Sequence, residues 1–146
     1  LLNYAGFLDS LGKSEEALPH AIRGVEIWQR LGGSHDRSYA AAMDTLASIL
    51  LHLGRLDASA RMFDRAVRLA RATKMPPAVM AEILVNSARA LAGLGQTDRV
   101  LDRIRESVEL GFADPVLADD PAFELLRGLP EFEALVAEVE RRAAAR

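Results

Sequence analysis

Three Leu-Gly pairs, Leu11-Gly12, Leu53-Gly54 and Leu94-Gly95, set their glycines 42 and 41 residues apart. Self-similarity at a period of this length marks a chain assembled from repeated supersecondary units. The flanking residues keep the same register. Alanine stands seven residues before each glycine (Ala5, Ala47, Ala88), and leucine four before (Leu8, Leu50, Leu91). An apolar residue comes nine after each glycine (Ala21, Phe63, Ile104), and a small one twelve after (Gly24, Ala66, Ser107). Each unit therefore reads as a helix, a glycine-bearing turn and a second helix. Small residues let the two antiparallel helices approach, and larger ones fill the gap between them. Glycine just past a helix end takes a left-handed conformation without steric cost.

The rest of the chain agrees with a helical reading. Half of its 146 residues are hydrophobic, 27% are charged and only 5% are aromatic. Good helix formers dominate and sheet formers are scarce. The pattern predicts helices near 1–11, 14–31, 36–53, 56–73, 78–94 and 97–110, with breaks at Gly32-Gly33-Ser34 and Met75-Pro76-Pro77. Pro19 removes one backbone donor inside the second helix and is expected to kink it. Residues 111–146 leave the repeat. Asp114-Pro115 and Asp120-Pro121 are helix starts, with aspartate capping and proline in the first turn. Two short helices are expected near 115–118 and 121–127, and a longer one over about 130–143. Phe132, Leu135, Val136 and Val139 give that last helix an apolar face. A terminal repeat must hide its apolar side, so this tail is expected to act as a cap.

The recurring residues resemble the tetratricopeptide repeat family. Its usual repeat is 34 residues; the period here is similar to the longer-helix type seen in kinesin light chains and many bacterial signalling proteins. The second unit matches best, through Ala47, Leu50, Leu53, Gly54, Ala60, Phe63 and Ala66. Ser59 and Val100 stand where alanine is usual, and Val100 is expected to loosen the third unit. The first unit lacks the start of its first helix. The resemblance implies an all-α fold, a helix-turn-helix repeat solenoid (an α-α superhelix) with a C-terminal helical cap. Its divisions are three repeats over 1–112 (about 1–31, 36–73 and 78–110) and a capping segment over 113–146.

The resemblance also implies a function: binding a peptide or protein partner in the concave groove lined by the first helix of each repeat. In the second repeat Met43, Ala47 and Leu50 pack, which leaves Asp44, Ser48, Leu51 and His52 on the groove side. In the third, Leu84, Ala88 and Leu91 pack, leaving Glu82, Val85 and Arg89. Gly6 and Asp9 contribute from the first. Such a groove suits a mixed or basic peptide with an apolar anchor near Leu51 and Val85. Some members of the family grip the C-terminal carboxylate of heat-shock chaperones with lysines, asparagines and an arginine. The matching positions are Leu2, Gly6, Thr45, Glu82 and Asn86, which supply no cation. The tail resembles the segment that follows such repeats in bacterial proteins, some of them Ser/Thr protein kinases. The alternative role is therefore a regulatory or substrate-recruiting arm of a larger bacterial signalling protein. The kinase motifs themselves (a glycine-rich loop, His-Arg-Asp, Asp-Phe-Gly) do not occur in the sequence.

Several function classes are argued against. A net charge of −3 and a pI near 5.6 offer no attraction to a phosphate backbone, so nucleic acid is not an expected partner. There is no cysteine, hence no disulfide or thiolate metal site. No run of about 18–20 uncharged apolar residues is present to span a membrane, and a cytoplasmic location is expected. His20, His35 and His52 are never three or four apart, so no helix displays a histidine pair for a metal. Ser14-Glu15-Glu16 reads as a helix start, with acids at the positive end of the dipole. Asp119-Asp120 reads as a capping turn. Arg61, Arg65, Arg68 and Arg71, with Asp57 and Asp64 nearby, read as a solvated face, and Trp28 as packing between repeats. No nucleophile–base pair, phosphate loop or metal cluster can be assembled: no enzyme and no cofactor is expected. Leu1 is not an initiator methionine, and the chain reads as a fragment opening inside a repeat. Leu1, Leu2, Tyr4 and Leu8 are then expected to be partly unburied, favouring self-association through that end.

Overall fold

The computed structural model describes residues 1–32 and 36–146; His35 and the Gly33-Ser34 part of the first expected break lie outside the described residues. Every helix among them is α-helical or 3-10, and no strand occurs. The fold class is the expected one, an all-α repeat of helical hairpins. Contacts divide the chain into two units, Leu1–Met75 and Pro76–Arg146, parted at the Met75-Pro76-Pro77 break.

The first unit holds α1 (Leu2–Ser10), α2 (Ser14–Arg30), α3 (Arg37–His52) and α4 (Leu56–Ala72). α1 pairs with α2 and α3 with α4, while α2 and α1 both lie against α3. The second unit holds α5 (Pro77–Gly93), α6 (Thr97–Glu109), 3-10 segments at Pro115–Asp119 and Pro121–Leu126, and α7 (Pro130–Ala144). α5 pairs with α6, α7 lies on α6, and the segment Pro121–Leu126 lies on α5.

One turn design joins the helices of all three hairpins. Gly12, Gly54 and Gly95 have φ of +75°, +72° and +70°. In each case the residue after the glycine donates its N–H back to the recurring leucine: Lys13 to Leu8 O, Arg55 to Leu50 O and Gln96 to Leu91 O, at 2.9–3.1 Å. Each glycine N–H also donates to the carbonyl three residues back. These paired bonds satisfy the last carbonyls of the helix and require the left-handed residue between them. The glycine recurs because the motif needs a left-handed residue, and the leucine at the accepting carbonyl recurs because its side chain is buried in the hairpin. α4 ends the same way without glycine: Lys74 is left-handed (φ +52°) and Met75 N–H donates to Ala70 O. Arg37 reinforces that end by donating from Nε to Thr73 O (3.1 Å) and from Nη2 to Lys74 O (2.8 Å). A cation there also opposes the negative end of the helix dipole.

The small recurring residues sit where helices touch. Ala5, Ala47, Ala66, Ala88 and Ser107 are fully buried. Ser59, where the family prefers alanine, is also fully buried; its hydroxyl donates to Ala47 O at 2.7 Å. Ser107 donates likewise to Ala81 O at 2.9 Å. Each hydroxyl spends its donor on a carbonyl of the facing helix, so a polar atom is buried without being orphaned. Phe63, Met43, Ile49 and Val67 fill the first core. Leu84, Leu91, Ile104, Leu117, Phe123 and Phe132 fill the second, with the two phenylalanine rings 6.1 Å apart.

Several local expectations are refined. α2 runs unbroken through Pro19. Asp114 and Asp120 do cap, accepting from Val116 N–H (3.0 Å) and Ala122 N–H (2.9 Å), but the segments they start are 3-10 rather than α. Val100 is fully buried. In α7, hydrogen bonds from Arg141 and then Arg142 hold the Glu138 carboxyl below the usual glutamate range, and Arg142 also reaches Val108 O on α6.

Candidate interaction surface

In the first unit the expected groove residues of α3 come together on one side. Successive side chains turn by about 100°, so positions 44, 48, 51 and 52 share a face. Asp44, Ser48 and Leu51 are half-buried and His52 is exposed. Asp9, 43 residues earlier, is brought beside His52: its Oδ2 lies 2.8 Å from His52 Nδ1. Its Oδ1 accepts the Ser14 hydroxyl at 2.6 Å. Asp9 thus ties α1, the start of α2 and the end of α3 together. Ser14 opens α2 without capping it; the hydroxyl is turned to Asp9 instead. The helix-start reading of Ser14 missed this role, which depends on α1 and α2 being antiparallel.

A serine, an aspartate and a histidine in contact invite comparison with a hydrolase triad. The order is wrong for that chemistry. In a triad the histidine lies between serine and acid and takes the serine proton. Here the carboxylate lies in the middle, and the hydroxyl donates to it. Among the described residues no base contacts Ser14 Oγ, and the cluster braces three helices. Gly6 is half-buried on α1, with open space around its Cα.

Beside this face, Leu2, Trp28, Ser38, Ala41 and Thr45 line a cleft of about 260 Å³. Two of the positions that match the chaperone clamp, Leu2 and Thr45, border it, and no lysine or arginine does. Trp28 is half-buried there, between α2 and the α3 residues it faces.

In the second unit the expected residues fare differently. Glu82 is exposed and borders a cavity of about 470 Å³ with Ala78, Ala81, Phe112 and Asp114. Arg89 is engaged within the unit. Its Nε donates to Asp120 Oδ2 at 2.8 Å, and Nη1 donates to Asn86 Oδ1 at 2.5 Å. Val85, expected as an open apolar anchor, is fully buried. The reason lies in the tail: Pro121–Leu126 packs on α5, and its capping Asp120 bonds Arg89, one turn from Val85. The face of α5 carrying Val85 and Arg89 is thus used internally.

Among the described residues no group of three or more histidine, aspartate or glutamate side chains is placed to hold a metal ion, and no helix is long and apolar enough to cross a membrane. No curated protein gives a match to the chain. Residues 1–72, the two hairpins of the first unit, match the family model described as tetratricopeptide repeat. With hairpins of the same construction recurring through Gly12, Gly54 and Gly95, the chain belongs to the tetratricopeptide repeat family, whose members generally mediate protein–protein interaction and are typically scaffolds rather than enzymes.

Proposed function

We propose that the chain is a protein–protein interaction module that holds a peptide or protein partner on the α3 face formed by Asp44, Ser48, Leu51 and His52. The observation that carries this reading is the make-up of the α3 face. It combines an acid, a hydroxyl and an aliphatic side chain, each half-buried, with an exposed imidazole, on a helix whose other sides are packed. Rigid elements carrying mixed polar and apolar groups suit recognition by anchor and rim. Asp9 holds His52 through Nδ1, which fixes the ring and leaves Nε2 as its second polar atom. Residues 113–146 act as the cap of the array, through Pro121–Leu126 on α5 and α7 on α6. No catalytic role is assigned.

The test is a peptide-display selection against the whole chain, followed by calorimetry. Asp44→Arg and His52→Glu are expected to weaken a selected peptide about tenfold or more each, as losses of central polar contacts do. Unchanged affinity in both variants with the fold intact overturns the assignment. Acidic chaperone C-terminal peptides are expected not to bind, because the positions that would clamp the carboxylate hold Leu2, Gly6, Thr45, Glu82 and Asn86. A titration with micromolar affinity contradicts this.

We also propose self-association through α1. Leu1, Tyr4, Phe7 and Leu11 are 52–58% exposed along one side of it. The membership of this stripe differs from the expected one. Leu8 is buried, because the recurring leucine faces its own hairpin, while Phe7 and Leu11 take its place on the surface. Sedimentation is expected to show concentration-dependent association that Phe7→Glu abolishes. An unchanged profile in that variant contradicts it.

A further inference from the structure

The first unit carries a second cleft, between α3 and α4. Tyr39, Met43, Arg65, Arg68, Leu69 and Ala72 line a cavity of about 420 Å³. Its floor is apolar: Tyr39 and Met43 are buried and Leu69 half-buried, with exposed Ala72 at the lip. Its charged groups are two exposed guanidiniums, Arg65 and Arg68, and no carboxylate lines it. Neither arginine has a carboxylate partner among the described residues. They stand three apart on α4, so their Cβ atoms are about 5–6 Å from one another, and exposed Arg61 continues the row one turn earlier. On α3, Tyr39 and Met43 lie about 140° around the helix from the face of Asp44, Ser48, Leu51 and His52. The cleft is therefore separate from the surface assigned above.

We propose that this cleft docks an acidic protein segment that inserts one large apolar side chain and places carboxylates on Arg65 and Arg68. Three features define the occupant. The opening is near the small end of ligand pockets, about 300–1,000 Å³, and so takes one side chain with its flanking backbone. The floor is mainly apolar, made by the Tyr39 ring, Met43 and Leu69, and suits an apolar group. The rim offers paired planar donors that match carboxylates bidentately. The whole chain is net negative (−3), so this positive rim is a local exception, and it selects acidic ligands by position rather than by overall attraction. A basic segment would meet two unpaired guanidiniums at the mouth.

The test uses the whole chain and a fluorescent peptide with a central Leu-Phe pair flanked by glutamates, read by anisotropy. Binding is expected to weaken about tenfold or more on Arg65→Glu plus Arg68→Glu, and to fall steeply as salt is raised. Both arginines are exposed, so the double variant is expected to keep its helical circular dichroism. Replacing the glutamates by lysines should abolish binding to the native chain and restore it to the double variant. Ala72→Gln, which narrows the lip without changing charge, should weaken the acidic peptide by a similar factor. His52→Glu should leave it unchanged. Three outcomes overturn the proposal: no binding of the acidic peptide, equal binding of the lysine peptide to the native chain, or loss on His52→Glu but not on the arginine variants.

Discussion

Replacing Phe63 with alanine is expected to lower the stability of residues 1–75 by about 3–5 kcal/mol, the range for truncating a fully buried phenylalanine. The ring is wholly inaccessible and fills the space between α3 and α4, across from residues that cannot move inward. Ala47 and Ala66, both fully buried, already set those helices at close approach, so the vacated volume stays as a cavity. Ser59 adds to the loss, because its bond to the Ala47 carbonyl pins the same pair of helices. Urea unfolding followed by circular dichroism measures the effect. Hydrogen exchange should locate it in α3 and α4. Phe63→Leu is expected to cost distinctly less, since it restores most of the volume. A loss below about 1 kcal/mol for the alanine variant contradicts the hairpin packing described here.

Arg89→Ala is expected to destabilise the second unit by about 1.5–3 kcal/mol, the range for hydrogen bonds to charged groups. Asp120 has a side chain only 11% exposed, and Arg89 is 29% exposed. Removing the guanidinium leaves a largely desolvated carboxylate with the Ala122 N–H alone, and frees Asn86 Oδ1 as well. The pair also fixes Pro121–Leu126 on α5, so the same change should expose Val85 and raise exchange at Val85 and Phe123. A double-mutant cycle with Asp120→Asn should show a coupling well above zero. Additive effects would mean that the two side chains act independently.

Much of this fold was readable because a glycine required by the turn and a leucine required by the core recur at one fixed spacing. The left-handed turn needs glycine at 12, 54 and 95, and the carbonyl it serves belongs to a leucine that must also pack in the hairpin. That coincidence made the period visible. The end of α4 was not readable in the same way. Lys74 adopts the left-handed conformation against its own preference, with Arg37, 36 residues from Thr73, supporting it. The Asp-Pro pairs announced where the tail segments start but not that they are 3-10, since the capping chemistry is common to both helix types. The site was only partly legible. Face membership along α3 follows from helical period alone, and Asp44, Ser48, Leu51 and His52 do share a side. The Asp9–His52 contact joins positions 43 apart, and Val85 is covered through Asp120 and Arg89, 31 apart. Both depend on tertiary placement that no local pattern encodes. The arginine row of α4 read as a solvated face, and only the adjacent Tyr39 and Met43 of another helix turn it into a cleft.

The proposed recognition of a partner through the α3 face makes a direct prediction for the isotopically labelled whole chain titrated with a display-selected peptide and followed by amide shifts. The expected result is a cluster of saturable shifts at Asp44, Ser48, Leu51 and His52, with Tyr39, Leu69 and the α1 stripe unmoved. Shifts confined to α1 or to the cleft beside Arg65, with the α3 face silent at saturation, would contradict it.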